Sequence, residues 1–408
     1  MEKPVIARGA LDASMALDAS RPVPAAAAVQ TRATVRLLFV DNIRVFLTIL
    51  VLLHHLMVTY AGTGDWGYTE GKQDFLTNTL GSWFCATNQA YFMGLFLLIS
   101  AYFVPGSYDR KGAGRFLKDR LIRLGIPLAV FSWVLNPLFV YVFYFQDIRK
   151  PFWRYFPAEY FKDNAWIGEG PLWFVEVLLF FSLVYVLWRL LTRSRPPEPA
   201  VETAFPGNGS IALFALLLGV AGFLFRQFFL IDKYKFEPLN LQFAYFAQYI
   251  VLFVVGLIAY RRNWLLGLPD KAGRLWLGLA VLLVLLWAPL MLVGGAITSF
   301  DPYRGGWHWQ ALAFALWESF LCLSMCIGLV YAFRRYLNHR GKLAGFLVPN
   351  AYTAYIIHAP VIIIMAFAAR GIPLYPLLKW ALVALVAVPF TFGLSSLIRK
   401  IPYTDRVL

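Results

Sequence analysis

The chain has 408 residues, of which 60% are hydrophobic and only 14% charged, whereas soluble proteins are about half apolar and about a quarter charged. With a mean hydropathy of +0.63, this excludes a soluble enzyme. The formal charge of +15 must sit in loops and tails, and a pI near 9.7 needs no nucleic-acid partner, because cytoplasmic loops of membrane proteins carry the same excess of Lys and Arg.

Residues 1–36 are Ala-rich, repeat the tetrapeptide LDAS from Leu11 and from Leu17, and carry Glu2, Asp12 and Asp18 without an apolar core segment. They read as a disordered cytoplasmic tail rather than a signal or transit peptide. From residue 37 apolar blocks alternate with short polar breaks, giving expected spans near 42–61, 81–104, 124–145, 171–192, 210–231, 240–260, 275–299, 309–333, 348–369 and 374–398. The expected fold is all-α, a polytopic integral membrane bundle of about ten transmembrane helices over 37–400. A short cytoplasmic C-terminal tail, 401–408, follows. When alternate connections are assigned to alternate sides, about 26 of the 37 Lys and Arg residues fall on the side of both termini, which places that side in the cytoplasm. Cys85, Cys322 and Cys326 all lie in apolar runs and read as packing residues. No metal is called for.

A strongly polar side chain in hydrocarbon costs about 3 kcal/mol, so each one is a functional candidate. His55, Asn88, Gln89, Glu176, Arg226, Gln248, Glu318 and His358 fall within the expected spans. Read from alternate ends, His55, Asn88, Glu176 and Arg226 come about five to seven residues from the outer surface, with Glu318 and His358 nearer the midplane. Such a layer suggests a hydrated cavity between helices. Separate helix-to-helix bonds, such as an ion pair of Glu176 with Arg226, are the structural alternative.

The first span carries Arg44 and, after a long apolar run, His54-His55. At about 100° per residue, the step from Arg44 to His55 is three turns plus about 20°, so both share one face about 16 Å apart, whereas His54 is rotated off it by about 80°. A histidine titrates near neutrality and suits a general base toward a hydroxyl; an arginine near the inner surface suits a phosphate-bearing ligand. Between spans two and three, Lys118, Arg120 and Arg123 gather further positive charge, with Arg120 and Arg123 three apart as on one helix face. The bland readings are a snorkelling Arg44, a His55 bonded to a neighbouring helix, and a basic flank that touches lipid headgroups.

This pattern resembles the membrane-bound acyltransferase-3 family, in which an arginine is followed eleven positions later by a histidine in the first helix, here Arg44 and His55. The family's Arg-x-x-Arg pair after the second helix is matched by Arg120-Leu-Ile-Arg123. Looser matches are Phe96-Leu-Leu-Ile-Ser100, Pro171-Leu-Trp173-Phe174 and Tyr352-Thr-Ala-Tyr355-Ile-Ile-His358, while Ala101 stands where many members have Gly.

The resemblance implies transfer of an acyl group, acetyl or succinyl, from cytoplasmic acyl-coenzyme A to a hydroxyl of an extracytoplasmic glycan, lipid-linked sugar or metabolite. In that reading Arg44, Arg120 and Arg123, with Lys118, hold the coenzyme's phosphates. His55 is the base, Glu176 orients its ring or binds the acceptor, and His358 polarises the thioester carbonyl. The partners implied are the lipid bilayer, acyl-CoA and a hydroxyl-bearing carbohydrate or lipid-linked acceptor; a homo-oligomer is compatible. A bacterial inner membrane is the expected location. The alternative is a multi-span exporter of a lipid-linked or anionic solute, since midplane polar residues and broken helices also mark transport pathways.

Overall fold

A backbone immersed in hydrocarbon has to satisfy its N–H and C=O groups within its own segment, and the apolar runs do so as helices. The structure, a computed structural model, describes residues 36–64, 66, 68–70, 74–144, 151–156, 170–192, 203–233, 241–296 and 298–408. The expected tail over 1–36 thus lies, except for its last residue, outside the described residues. Among the described residues ten helical segments are long and apolar enough to cross a membrane, and no strand is present.

The first span is α1 (Leu38–Ala61). The second is made of two pieces, α2 (Phe75–Gln89) and α3 (Phe92–Tyr102). The third opens with α4 (Val104–Arg120) and continues through π-helical turns at Leu121–Gly125 and Phe131–Leu135. Then come α5 (Trp173–Leu191), α6 (Asn208–Phe225), α7 (Phe246–Arg262), α8 (Asp270–Val293), α9 (Trp309–Tyr336), α10 (Lys342–Ala368) and α11 (Pro376–Ile398). The apolar stretch of α1 is 72% buried against 22% for α8, so α1 is at the centre and α8 at the lipid-facing rim. Helices α10 and α11 both pack on α1.

Three expected boundaries move. The third span starts about twenty residues early, because the basic segment before it is itself helical, with only Gly112 (φ 72°) out of helical geometry. The second also starts earlier, at Phe75, which puts Asn88 about 20 Å along the axis rather than near the outer surface. It is interrupted at Ala90–Tyr91, where the Gln248 side chain donates to the Ala90 carbonyl at 2.8 Å and Gln89 donates to the Tyr249 hydroxyl at 3.3 Å. Gln248 thus serves the helix break, as a buried backbone acceptor requires, and Gln89 ties the end of α2 to Tyr249. The fifth span ends at Phe225, so Arg226 is its C-cap and not about five residues inside it. Residues 401–408, expected as a tail, fold into turns with Leu408 packed against the main core.

Where the family pattern has Gly at position 101, the close approach is supplied from the opposite side. A Cβ on Gly256 of α7 would lie 2.3 Å from the Leu98 carbonyl oxygen and 2.7 Å from the Ala101 Cβ, so α3 and α7 meet backbone to backbone, as small residues allow in membranes. Gly256→Val is expected to force the pair apart at a cost of about 1–3 kcal/mol. A lower midpoint of thermal unfolding in detergent, with Gly278→Val on open surface as control, checks it.

Candidate active site

Helix α1 supplies both ends of the site. At one end Arg44, its side chain 37% exposed, lies 3.6 Å from Asp41, with its guanidinium 4.8 Å from the centre of the Phe103 ring. Asn42 holds this end in place by donating to the Leu337 and His339 carbonyls at 2.6 and 3.0 Å. Arg120, whose guanidinium lies over the Phe116 ring at 5.0 Å, is near enough to both Arg44 and Arg123 for their charges to interact. Arg123 falls inside the first π turn, so the regular helix face expected to pair it with Arg120 is not formed. A π turn shifts the winding and is frequent at functional sites. Lys118 is exposed on the same segment. Arg189 and Arg261, by contrast, are engaged by Asp109 at 3.5 and 2.7 Å.

At the other end of α1 the His55 ring is flanked by two nearly parallel rings, Trp66 at 4.0 Å and 20° and His358 at 5.2 Å and 24°. His54 is edge-on to it at 5.6 Å and packs on Phe92 at 5.0 Å. Stacking fixes a ring through its faces and leaves its in-plane nitrogens for proton transfer, the geometry a general base needs.

Helix α10 joins the two ends. Its Tyr352 hydroxyl donates to the Arg123 carbonyl at 2.5 Å, and its Tyr355 hydroxyl to the Pro171 carbonyl at 2.5 Å. One turn on, the His358 Nδ1 hydrogen-bonds the Tyr355 carbonyl. The loosely matched motifs converge here, because Phe96 meets Phe174 at 5.4 Å and Tyr355 at 6.4 Å. A carbonyl only accepts, so Nδ1 carries the proton and Nε2 of the neutral ring has a lone pair. In this tautomer Nε2 accepts rather than donates.

On the Trp66 side, described residues that follow α1 pack against the site. Gly62 and Gly64 take left-handed φ values of 65° and 88°, which turns the chain back over the end of α1. The Glu70 N–H donates to the Thr59 carbonyl at 2.9 Å, Tyr68 stacks on Phe367 at 4.3 Å, and Glu70 forms an ion pair with Lys379 of α11. Asp74 caps α2 through Thr77 and accepts from the Tyr375 hydroxyl at 3.0 Å. The Thr77 hydroxyl and N–H hold its carboxyl down at about 2, so the cap stays charged near neutrality. Trp66, Glu70 and Lys379 did not enter the sequence reading. Lys379, a lone lysine in an apolar span and only 3% exposed, was the signal available.

The other intramembrane candidates divide. Arg226 pairs with Glu318 at 2.5 Å, both side chains almost fully buried, and not with Glu176; its Nε donates to the Ala244 carbonyl at 3.2 Å. Glu176 is buried with both carboxylate oxygens unpaired, two residues beyond Phe174, whose ring lies 6.0 Å from that of Tyr355. No hydrogen bond from it orients His55. The Asn88 amide nitrogen is also buried and unpaired. The three cysteines are free and buried. Among the described residues no group of three or more His, Cys, Asp or Glu could hold a metal ion.

A ten-span bundle with a histidine stack at one end of its central helix and an arginine cluster at the other offers a candidate site for chemistry within a membrane. The family model described as an acyltransferase domain, of the acyltransferase-3 type, matches residues 37–400, and the chain belongs to that family. It is an integral membrane O-acyltransferase, which selects the enzyme over the exporter alternative. It is similar to the glucans biosynthesis protein C of Salmonella heidelberg strain SL476, 23% identical over 79% of this chain and 81% of that protein. The protein of the same name from Salmonella paratyphi B is 22% identical over the same shares. No solved structure matches the chain.

Proposed function

We propose that the protein moves an acyl group of the acetyl or succinyl class from cytoplasmic acyl-coenzyme A to a hydroxyl of an extracytoplasmic glycan. A glucan is the first candidate, given what the relatives are named for; a lipid-linked sugar or a metabolite is the wider class. The observation that carries this is α1 itself, with Arg44 beside Arg120 and Arg123 at one end and the ring of His55 held between those of Trp66 and His358 at the other. The excess of Lys and Arg on the side of both termini supports an arginine end that faces the cytoplasm, with a bacterial inner membrane as the proposed location.

Guanidinium groups bind phosphate oxygens two at a time, so the arginines, with Lys118 at the rim, hold the coenzyme while its pantetheine arm extends along α1 and α10 toward His55. The axial distance of about 16 Å from Arg44 to His55 is within the reach of that arm. His55 takes the acceptor's hydroxyl proton as its oxygen attacks the thioester carbonyl carbon. The C–S bond then breaks and the leaving thiolate takes the proton from the imidazolium. Glu176, buried and unpaired, is available to the acceptor rather than to His55.

The test is acceptor-dependent release of free thiol from acetyl-CoA by detergent-purified protein given glucan oligosaccharide, with mass-spectrometric detection of the ester. Thiol release without ester on any hydroxyl acceptor would refute transfer. For the donor site, Arg120→Ala and Arg123→Ala are each expected to raise the KM for acyl-CoA about tenfold, the weight of one charge-assisted contact. Unchanged affinity by calorimetry would leave these arginines as topology signals only.

A further inference from the structure

Three buried polar atoms close to the His55 ring lack partners: Nε2 of His358, Nε1 of Trp66 and Nδ1 of His54. His358 is fully buried, and a buried nitrogen left unbonded is costly unless a ligand supplies its partner. His55 cannot be that partner, because the two rings lie nearly parallel and a ring nitrogen bonds in its own plane. The His358 Nδ1–H is already committed to the Tyr355 carbonyl, so what Nε2 offers is a lone pair, which accepts. Trp66 Nε1 offers only an N–H, which donates. A group that both donates and accepts matches this pair; a carboxylate or phosphate would face the lone pair with its own.

We infer that His358 is a specificity-determining, acceptor-positioning residue: its Nε2 accepts from a second hydroxyl of the acceptor, next to the hydroxyl that His55 deprotonates. The 5.2 Å between ring centres lets neighbouring hydroxyls of one sugar ring address the two histidines, with the Trp66 indole N–H on an adjacent oxygen. The acceptor class is therefore a polyol with adjacent hydroxyls rather than a simple alcohol or an anion. This rests on the acyltransferase reading of the same site.

The experiment compares a methyl glucoside with cyclohexanol as acceptors for wild type, His358→Phe and His358→Gln. Phenylalanine keeps the stacked ring and removes the lone pair; glutamine puts an amide oxygen near the position of Nε2. In His358→Phe the KM for the glucoside is expected to rise about tenfold, the loss falling on KM rather than kcat, with cyclohexanol changed less than about twofold and glutamine restoring most of the preference. Binding of both compounds without donor, read by ligand-detected NMR, gives the same comparison free of chemistry. Binding preference that depends on His358 with no acyl transfer would support this inference and count against the acyltransferase reading alone. A glucoside preference that survives His358→Phe, or equal loss for both acceptors, would overturn it.

Discussion

Replacing His55 with alanine is expected to lower acceptor-dependent acyl transfer by about 10²- to 10⁴-fold, the usual contribution of a positioned base, with the donor KM little changed. The donor's phosphates are assigned to the other end of α1, so binding and chemistry should separate. His54→Ala is the control that gives the test its edge. Its ring is neighbour to His55 but perpendicular to it and packed on Phe92, so its loss should cost less than about tenfold, through packing and not through the base. Full activity in His55→Ala would sink the catalytic assignment, and equal losses in the two variants would sink the face argument that selects one histidine over the other.

Glu318→Ala is expected to cost about 3–5 kcal/mol, because it strands the Arg226 guanidinium without its partner in a buried site. The charge has nowhere else to go: Arg226 is 2% exposed, its Nε is bonded to the Ala244 carbonyl, and its Nη1 is unpaired. The double variant Arg226→Met with Glu318→Leu should recover most of the loss, since replacing both ions with apolar groups of similar size is often neutral. Cys85, Cys322 and Cys326 are free and buried, so the temperature at which a thiol-reactive dye labels them reports unfolding directly. Labelling of Glu318→Ala at the wild-type temperature would show that the pair adds nothing. Persisting transfer in the double variant would place this pair in the scaffold, outside the reaction.

The ten spans were legible because each is decided locally: about twenty apolar residues in a row have no soluble alternative. The first-helix constellation was legible for the same reason, as rise and angle per residue are constants of the helix. Boundaries set by polar residues were not. Arg226 looked like part of an apolar run, yet its side chain turns to Glu318, about ninety positions away in sequence. Gln248 showed in the sequence only as a polar residue within an apolar span, and it bonds a break in another span. Glu176 and Arg226 both lay at the right depth to pair, and depth says nothing about which helices are neighbours.

The sequence by itself determined the membrane fold, the number of spans, and the pairing of Arg44 with His55 on one face of α1, because helix geometry and the cost of burying polar groups act within a segment. Only the tertiary structure decided what surrounds that face. It brought His358 alongside His55, laid Trp66 over the ring, and set Arg120 and Arg123 near Arg44. Those are contacts between helices, fixed by how small residues such as Gly256 let backbones approach and by which polar atoms find partners across the bundle, and no local rule carries that information.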